Sequence, residues 1–118
     1  MKVAIAGAGA VGRSIARELV DNSHQVTLIE RNPNHFDVDA IPAAEWRFGD
    51  ACELSLLEAI HLEEYDVVIA ATGDDKANVV LSLLAKTEFA APRVVARVND
   101  PRNEWLFDSA WGVDVAVS

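Results

Sequence analysis

The chain of 118 residues is 51% apolar and sets ten Lys and Arg against nineteen Asp and Glu, for a net charge of −9. A chain of this length can bury roughly two-thirds of its unfolded surface around one core, which excludes disorder, while the negative surplus opposes binding to nucleic acid or anionic lipid. The single cysteine, Cys52, excludes an intramolecular disulfide framework, and no apolar run approaches the ~20 residues that span a bilayer, so a cytoplasmic chain in a reducing compartment is expected.

The first predicted element is a strand over Lys2–Ala6. It runs into Gly7-Ala8-Gly9-Ala10-Val11-Gly12, after which Val11, Ile15 and Leu19 recur at every fourth position as the apolar stripe of a helix. A G-x-G-x-x-G run between strand and helix is the dinucleotide fingerprint. Gly7 permits the tight turn, Gly9 lets the backbone approach a pyrophosphate, and Gly12 lets the helix pack close to the sheet. Free amides and the positive end of the helix dipole then form an anion site that does not depend on net charge. A second strand, Gln25–Glu30, ends on an acid about twenty residues after the glycines, where a carboxylate accepts from a ribose 2′- and 3′-hydroxyl pair. The same carboxylate would repel a 2′-phosphate by on the order of 4 kcal/mol at an effective dielectric of about 20, which argues against NADP. Arg31 can lie on the adenine face or stand as a solvated charge.

The stretch from Arg31 to Glu45, holding Pro33, Asn34 and Pro42, reads as a loop with at most a short helix. A third strand over Trp46–Phe48 leads to Gly49-Asp50-Ala51 and a helix beginning around Cys52 and Glu53. Asp50 can accept from the adenine amino group or cap that helix, with Ala51 and Cys52 beside it, and a helix N-terminus there can lower the Cys52 thiol pKa. A fourth strand, Asp66–Ala71, opens into Ala71-Thr72-Gly73-Asp74-Asp75, where small residues leave room for terminal phosphates or the second half of a dinucleotide. Asp74 or Asp75 can cap the next helix, whose stripe reads as Ala77, Val80, Leu83 and Leu84, and Asn78 joins Thr72 at the far end of the cleft. Arg97 ends a fifth strand, Arg93–Val98, and is a candidate phosphate or partner contact or a surface ion pair. Trp105, Leu106, Phe107 and Trp111, ahead of a last strand, Val113–Val117, read as core or, for some of them, as a partner-facing surface. That strand ends without a capping helix, so residues 1–118 are expected to form one nucleotide-binding domain cut from a longer chain.

Six strands alternating with helices predict an α/β chain, a Rossmann-like doubly wound parallel sheet of order 3-2-1-4-5-6. His24, His35 and His61 lack ligand spacing, so no metal is expected, and Tyr65 has Ile69 rather than a lysine four residues on, so the Tyr-Lys pair of short-chain dehydrogenases is missing. A binding domain rather than an enzyme is expected. Its ligand is NAD(H) or ATP/ADP, since both carry the adenosine diphosphate that Gly9 and Glu30 would read. The alternative is the cofactor-binding fragment of an NAD-dependent dehydrogenase.

The glycine loop, Glu30-Arg31, Gly49-Asp50-Ala51, Thr72-Gly73-Asp74-Asp75 with Asn78, Ala96-Arg97-Val98-Asn99-Asp100-Pro101 and Gly112-Val113-Asp114 occur together in this order. In this the chain resembles the N-terminal nucleotide-binding (TrkA-N) domain of RCK, regulator of K+ conductance, proteins of the Trk-type potassium uptake kind. The resemblance implies a non-catalytic regulator that binds an adenine nucleotide and changes conformation with it. It also implies a membrane potassium channel or transporter subunit as partner, at the inner face of the membrane, and a homodimer or larger homo-oligomer in the full-length protein.

Overall fold

Short aliphatic runs and helices alternate along the computed structural model, which describes residues 1–118. The strands are β1 (Lys2–Ala6), β2 (Gln25–Glu30), β3 (Glu45–Phe48), β4 (Val67–Ala70), β5 (Arg93–Arg97) and β6 (Val115–Val117). The helices are α1 (Ala10–Asp21), α2 (Leu54–Ala59) and α3 (Asp75–Thr87). All neighbouring strands pair in parallel in the order 3-2-1-4-5-6, as expected. Parallel strands need crossover connections, and here α1 packs with Val3, Ile5 and Leu28 on one face while α2 and α3 pack with Ala4, Val68 and Val94 on the other. The chain therefore leaves β1 and β4, which are adjacent, in opposite directions. A crevice opens between those two connections at the carboxyl ends of the strands. No helix is long and apolar enough to cross a membrane.

Several expectations are corrected. The buried face of α3 is Asn78, Leu81, Ser82 and Ala85 rather than the stripe through Val80, which is 42% exposed. Two polar residues disguise that face, and both are satisfied there, Ser82 Oγ donating to the Asn78 carbonyl at 2.7 Å. On α1 the fully buried positions are Gly12 and Ala16, with Ile15 and Leu19 packed beside them, while Val11 turns out to the crevice. The helix after β3 starts at Leu54, because the Asp50 carboxylate accepts from the Cys52 N–H in a local turn and Glu53 supplies no side-chain cap. The last strand is shortened to Val115–Val117, since Val113 is buried in the preceding turn. Only Phe107 of the aromatic cluster is buried. Trp105 is 75% exposed and Trp111 39%; they sit in the 3-10 helices Pro101–Leu106 and Ser109–Trp111, the second of which packs beside α3, where a Cβ on Gly112 would stand 2.5 Å from the Ser82 carbonyl.

Candidate functional site

The crevice between the β1 and β4 connections is a cleft of about 410 Å³. That volume lies in the range of small-ligand sites. Gly7 has φ +103°, and a Cβ there would stand 2.6 Å from the Ala71 carbonyl, so the glycine loop and the segment after β4 meet at this point. A Cβ on Gly12 would stand 1.8 Å from the Gly7 carbonyl, which ties the first turn of α1 to the loop. Gly9 has nothing within 4 Å of its would-be Cβ and faces the cleft. The amides of Gly9, Ala10, Val11 and Gly12 donate to no acceptor in the chain. They are the unpaired first-turn donors of α1, concentrated at one wall of the cleft with the positive end of the helix dipole.

Glu30 faces them from the end of β2 and is 8% exposed. Its Oε1 accepts from the Ala8 N–H at 2.7 Å and its Oε2 from the Asn32 N–H at 2.9 Å, so the carboxylate also shapes the loop it faces. Each oxygen retains acceptor capacity for a hydroxyl. Ala8 itself is fully buried and reaches the cleft only through that bond. Exposed Arg31 stands 3.8 Å from the Asp50 carboxylate across the cleft rim. His35, expected to be structural or exposed, is exposed and also lines the cleft, with Nδ1 3.9 Å from Glu30 Oε1. Arg13 fastens this rim, donating from Nε to the Ala8 carbonyl and from Nη2 to the His35 carbonyl. Neither residue could be placed here from the sequence, since the Arg31–Glu45 loop has no periodicity to follow.

Asp50, Ala51 and Cys52 line the cleft at the end of β3. The Cys52 thiol is not lowered by the nearby helix start. Burial, followed by the Asp50 and Asp74 carboxylates, pushes its pKa up to about 11. Sγ lies 3.4 Å from the Ala77 carbonyl and donates to it, consistent with a protonated thiol. Tyr65 lies at the amino end of β4, away from the cleft, with its hydroxyl 2.7 Å from Thr27 Oγ1.

The opposite wall is built from Ala71, Thr72, Gly73 and Asp74 after β4 and from Arg97 at the end of β5. Asp74 is the cap of α3, accepting from the Lys76 and Ala77 amides, whereas Asp75 is buried and accepts from the Asn99 and Asp100 amides and from the side chains of Asn99 and Asn103. Arg97 lines the cleft, and its guanidinium makes no ion pair or hydrogen bond in the chain. Asn78 departs from expectation. It is 0% exposed and cannot touch a ligand, because its amide is engaged by Thr72 and the Arg97 carbonyl.

Comparison with known proteins bears on this geometry. The TrkA-N domain family model matches residues 3–118. The chain is 82% identical over 118 residues to the Trk system potassium uptake protein TrkA of Mycobacterium tuberculosis (strain H37Rv), covering all of this chain and 54% of that protein. It thus spans about half the length of the curated relatives it matches. Among solved structures, GsuK bound to ADP superposes with a TM-score of 0.84 at 28% identity, over 99% of this chain and 30% of that one. The AMP-bound Kef C-terminal domain of Shewanella denitrificans shares the fold, with a TM-score of 0.83 at 23% identity over 98% of this chain and 70% of that one.

Proposed function

The chain belongs to the TrkA-N domain family, and from that premise we propose that it binds an adenine nucleotide in the cleft and passes the occupied state to a membrane potassium uptake channel or transporter. The observation that carries this reading is the row of unengaged amides at Gly9, Ala10, Val11 and Gly12 facing the buried Glu30 carboxylate. Phosphate and ribose are the two groups those walls would recognise. GsuK, which holds ADP, and the AMP-bound Kef domain support an adenine nucleotide as the class. In this reading Gly7, Gly9 and the α1 amides hold the phosphates, Glu30 the ribose, and Arg31, Asp50, Ala51 and Cys52 surround the base. Ala71, Thr72, Gly73 and Arg97 meet whatever extends beyond the first phosphates, which is where NAD(H) and ATP or ADP differ. The domain binds rather than converts its ligand: Tyr65 is engaged by Thr27 and the Cys52 thiol is held protonated.

Residues 1–118 would then be the sensing part of a longer regulator at the cytoplasmic face of the membrane, assembled as a dimer or larger homo-oligomer. The ligand acts by preferring one of two conformations, since equal affinity for both would shift nothing. Thermal-shift measurements with NAD, NADH, ATP, ADP and AMP test the premise. A ligand at a hundred times its Kd stabilises the folded state by about 2.7 kcal/mol, a readily measured rise in Tm. Glu30→Ala is expected to weaken every adenosine ligand in titration calorimetry. If none of the five raises Tm at millimolar concentration, the reading fails.

A further inference from the structure

We propose that Asn78 is a positioning residue that holds the distal wall of the cleft in place and so selects ligands that extend beyond AMP. The proposal rests on the nucleotide reading above. The ladder between β4 and β5 ends at the pair Ala70 and Ala96. Beyond it the two chains bear Thr72 and Arg97, and no backbone bond joins them. The Asn78 side chain replaces the missing rung. Its Nδ2 donates to the Thr72 carbonyl and the Arg97 carbonyl, both at 3.0 Å. Its Oδ1 accepts from the Thr72 N–H at 3.0 Å and the Thr72 hydroxyl at 2.6 Å. Two donors face the oxygen and two carbonyls face the nitrogen, so the amide has one orientation and no remaining capacity for a ligand.

Those bonds determine where two free groups stand. The Gly73 N–H, next to Thr72, donates to nothing in the chain, and a side chain on Gly73 would meet nothing within 4 Å. Asn78 also holds the backbone from which the unpaired Arg97 side chain extends. Both line the cleft beyond the contact between Gly7 and Ala71. AMP, with its single phosphate, is satisfied by the α1 amides; a second and third phosphate reach toward Gly73 and Arg97. Asn99 makes a parallel but weaker tie, donating from Nδ2 to the same Thr72 carbonyl at 3.0 Å from an exposed position. The wall is therefore set by one buried amide and steadied by one exposed amide.

The test is the ratio of ATP to AMP affinity by titration calorimetry on the wild type, Asn78→Ser and Asn99→Ala. Both substitutions are neutral, so neither discriminates the ligands by charge. Asn78→Ser is expected to weaken ATP roughly tenfold while leaving AMP within about twofold, the loss of about one charge-assisted contact at the distal end. Asn99→Ala is expected to shift the ratio the same way by a smaller factor, and it decides the matter if Asn78→Ser does not fold. Equal weakening of ATP and AMP, or no weakening of either, overturns the positioning role and leaves the nucleotide reading intact. A wild-type protein that binds neither overturns both.

Discussion

Asp75 opens α3, and its carboxylate joins that helix to the segment after β5. Oδ1 accepts from the Asn99 N–H at 2.7 Å and from Asn99 Nδ2 at 3.0 Å. Oδ2 accepts from the Asp100 N–H at 2.9 Å and from Asn103 Nδ2 at 2.8 Å. The side-chain donors can turn to water when the acceptor is removed, but the two backbone amides cannot. Bonds to a charged group contribute ~1.5–3 kcal/mol each, and partial hydration around exposed Asn99 brings the expected loss for Asp75→Ala to about 2–4 kcal/mol. For a chain of this size that is a fall in Tm of about 10 °C. Asp75→Asn retains one acceptor oxygen but turns an NH2 toward two donors, so it too is destabilising.

The pH dependence separates this account from a general loss of packing. Burial acts to raise the Asp75 pKa, but the hydrogen bonds from Asn103, Asn99 and Asp100 together outweigh it and hold the pKa at about 2, against an ordinary 3.8. A folded-state pKa below the unfolded one gives stability that is present above pH 4 or so and is lost as pH falls through 3.8 toward 2. At ~1.4 kcal/mol per pH unit, discounted for nearby solvent, this component is about 1–2 kcal/mol. Urea unfolding of the wild type and Asp75→Ala at several pH values reads it directly. The gap between the two is expected to narrow from pH 5 downward. A gap under about 1 kcal/mol at pH 7, or one that does not change with acidification, would mean that the ionised carboxylate does not hold this segment.

The glycines offer a paired test. Gly12→Ala drives a methyl into the Gly7 carbonyl and is expected to lower Tm sharply, whereas Gly9→Ala meets nothing in the chain and is expected to leave Tm within about 2 °C while weakening nucleotide binding by tenfold or more. Equal Tm losses in the two variants would count against the assigned close approach. For Cys52, with its pKa near 11, the rate of alkylation by iodoacetamide is expected to keep rising from pH 8 to pH 10. That rise is about tenfold per pH unit; a rate that levels off as pH 10 is approached would show an ordinary thiol.

How far the chain can be read without its structure depends on whether the causes are local. β1 and β2 fall at their expected boundaries because strands covered on both faces are unbroken aliphatic runs, and the glycine loop is legible because turn, helix start and spacing all lie within a few residues. The buried face of α3 is not legible in the sequence because Asn78 and Ser82 are polar, and only tertiary partners explain why they are inside. Trp105 and Trp111 present the opposite case. Their apolar character says nothing about whether the turn carrying them presents them to the core or to solvent.

The order of elements, the parallel sheet and the near part of the cleft, Gly7–Gly12 with Glu30 facing it, are legible in the sequence, since these follow from periodicity and backbone conformation along the chain. The tertiary structure decided the rest of the site. It brought His35 and Arg13 to the rim, raised the Cys52 thiol between two carboxylates, and made Asn78 a rung between β4 and β5 rather than a wall of the cleft. Each of these depends on groups far apart in the chain meeting at hydrogen-bond distance, and spacing along the chain does not encode such meetings.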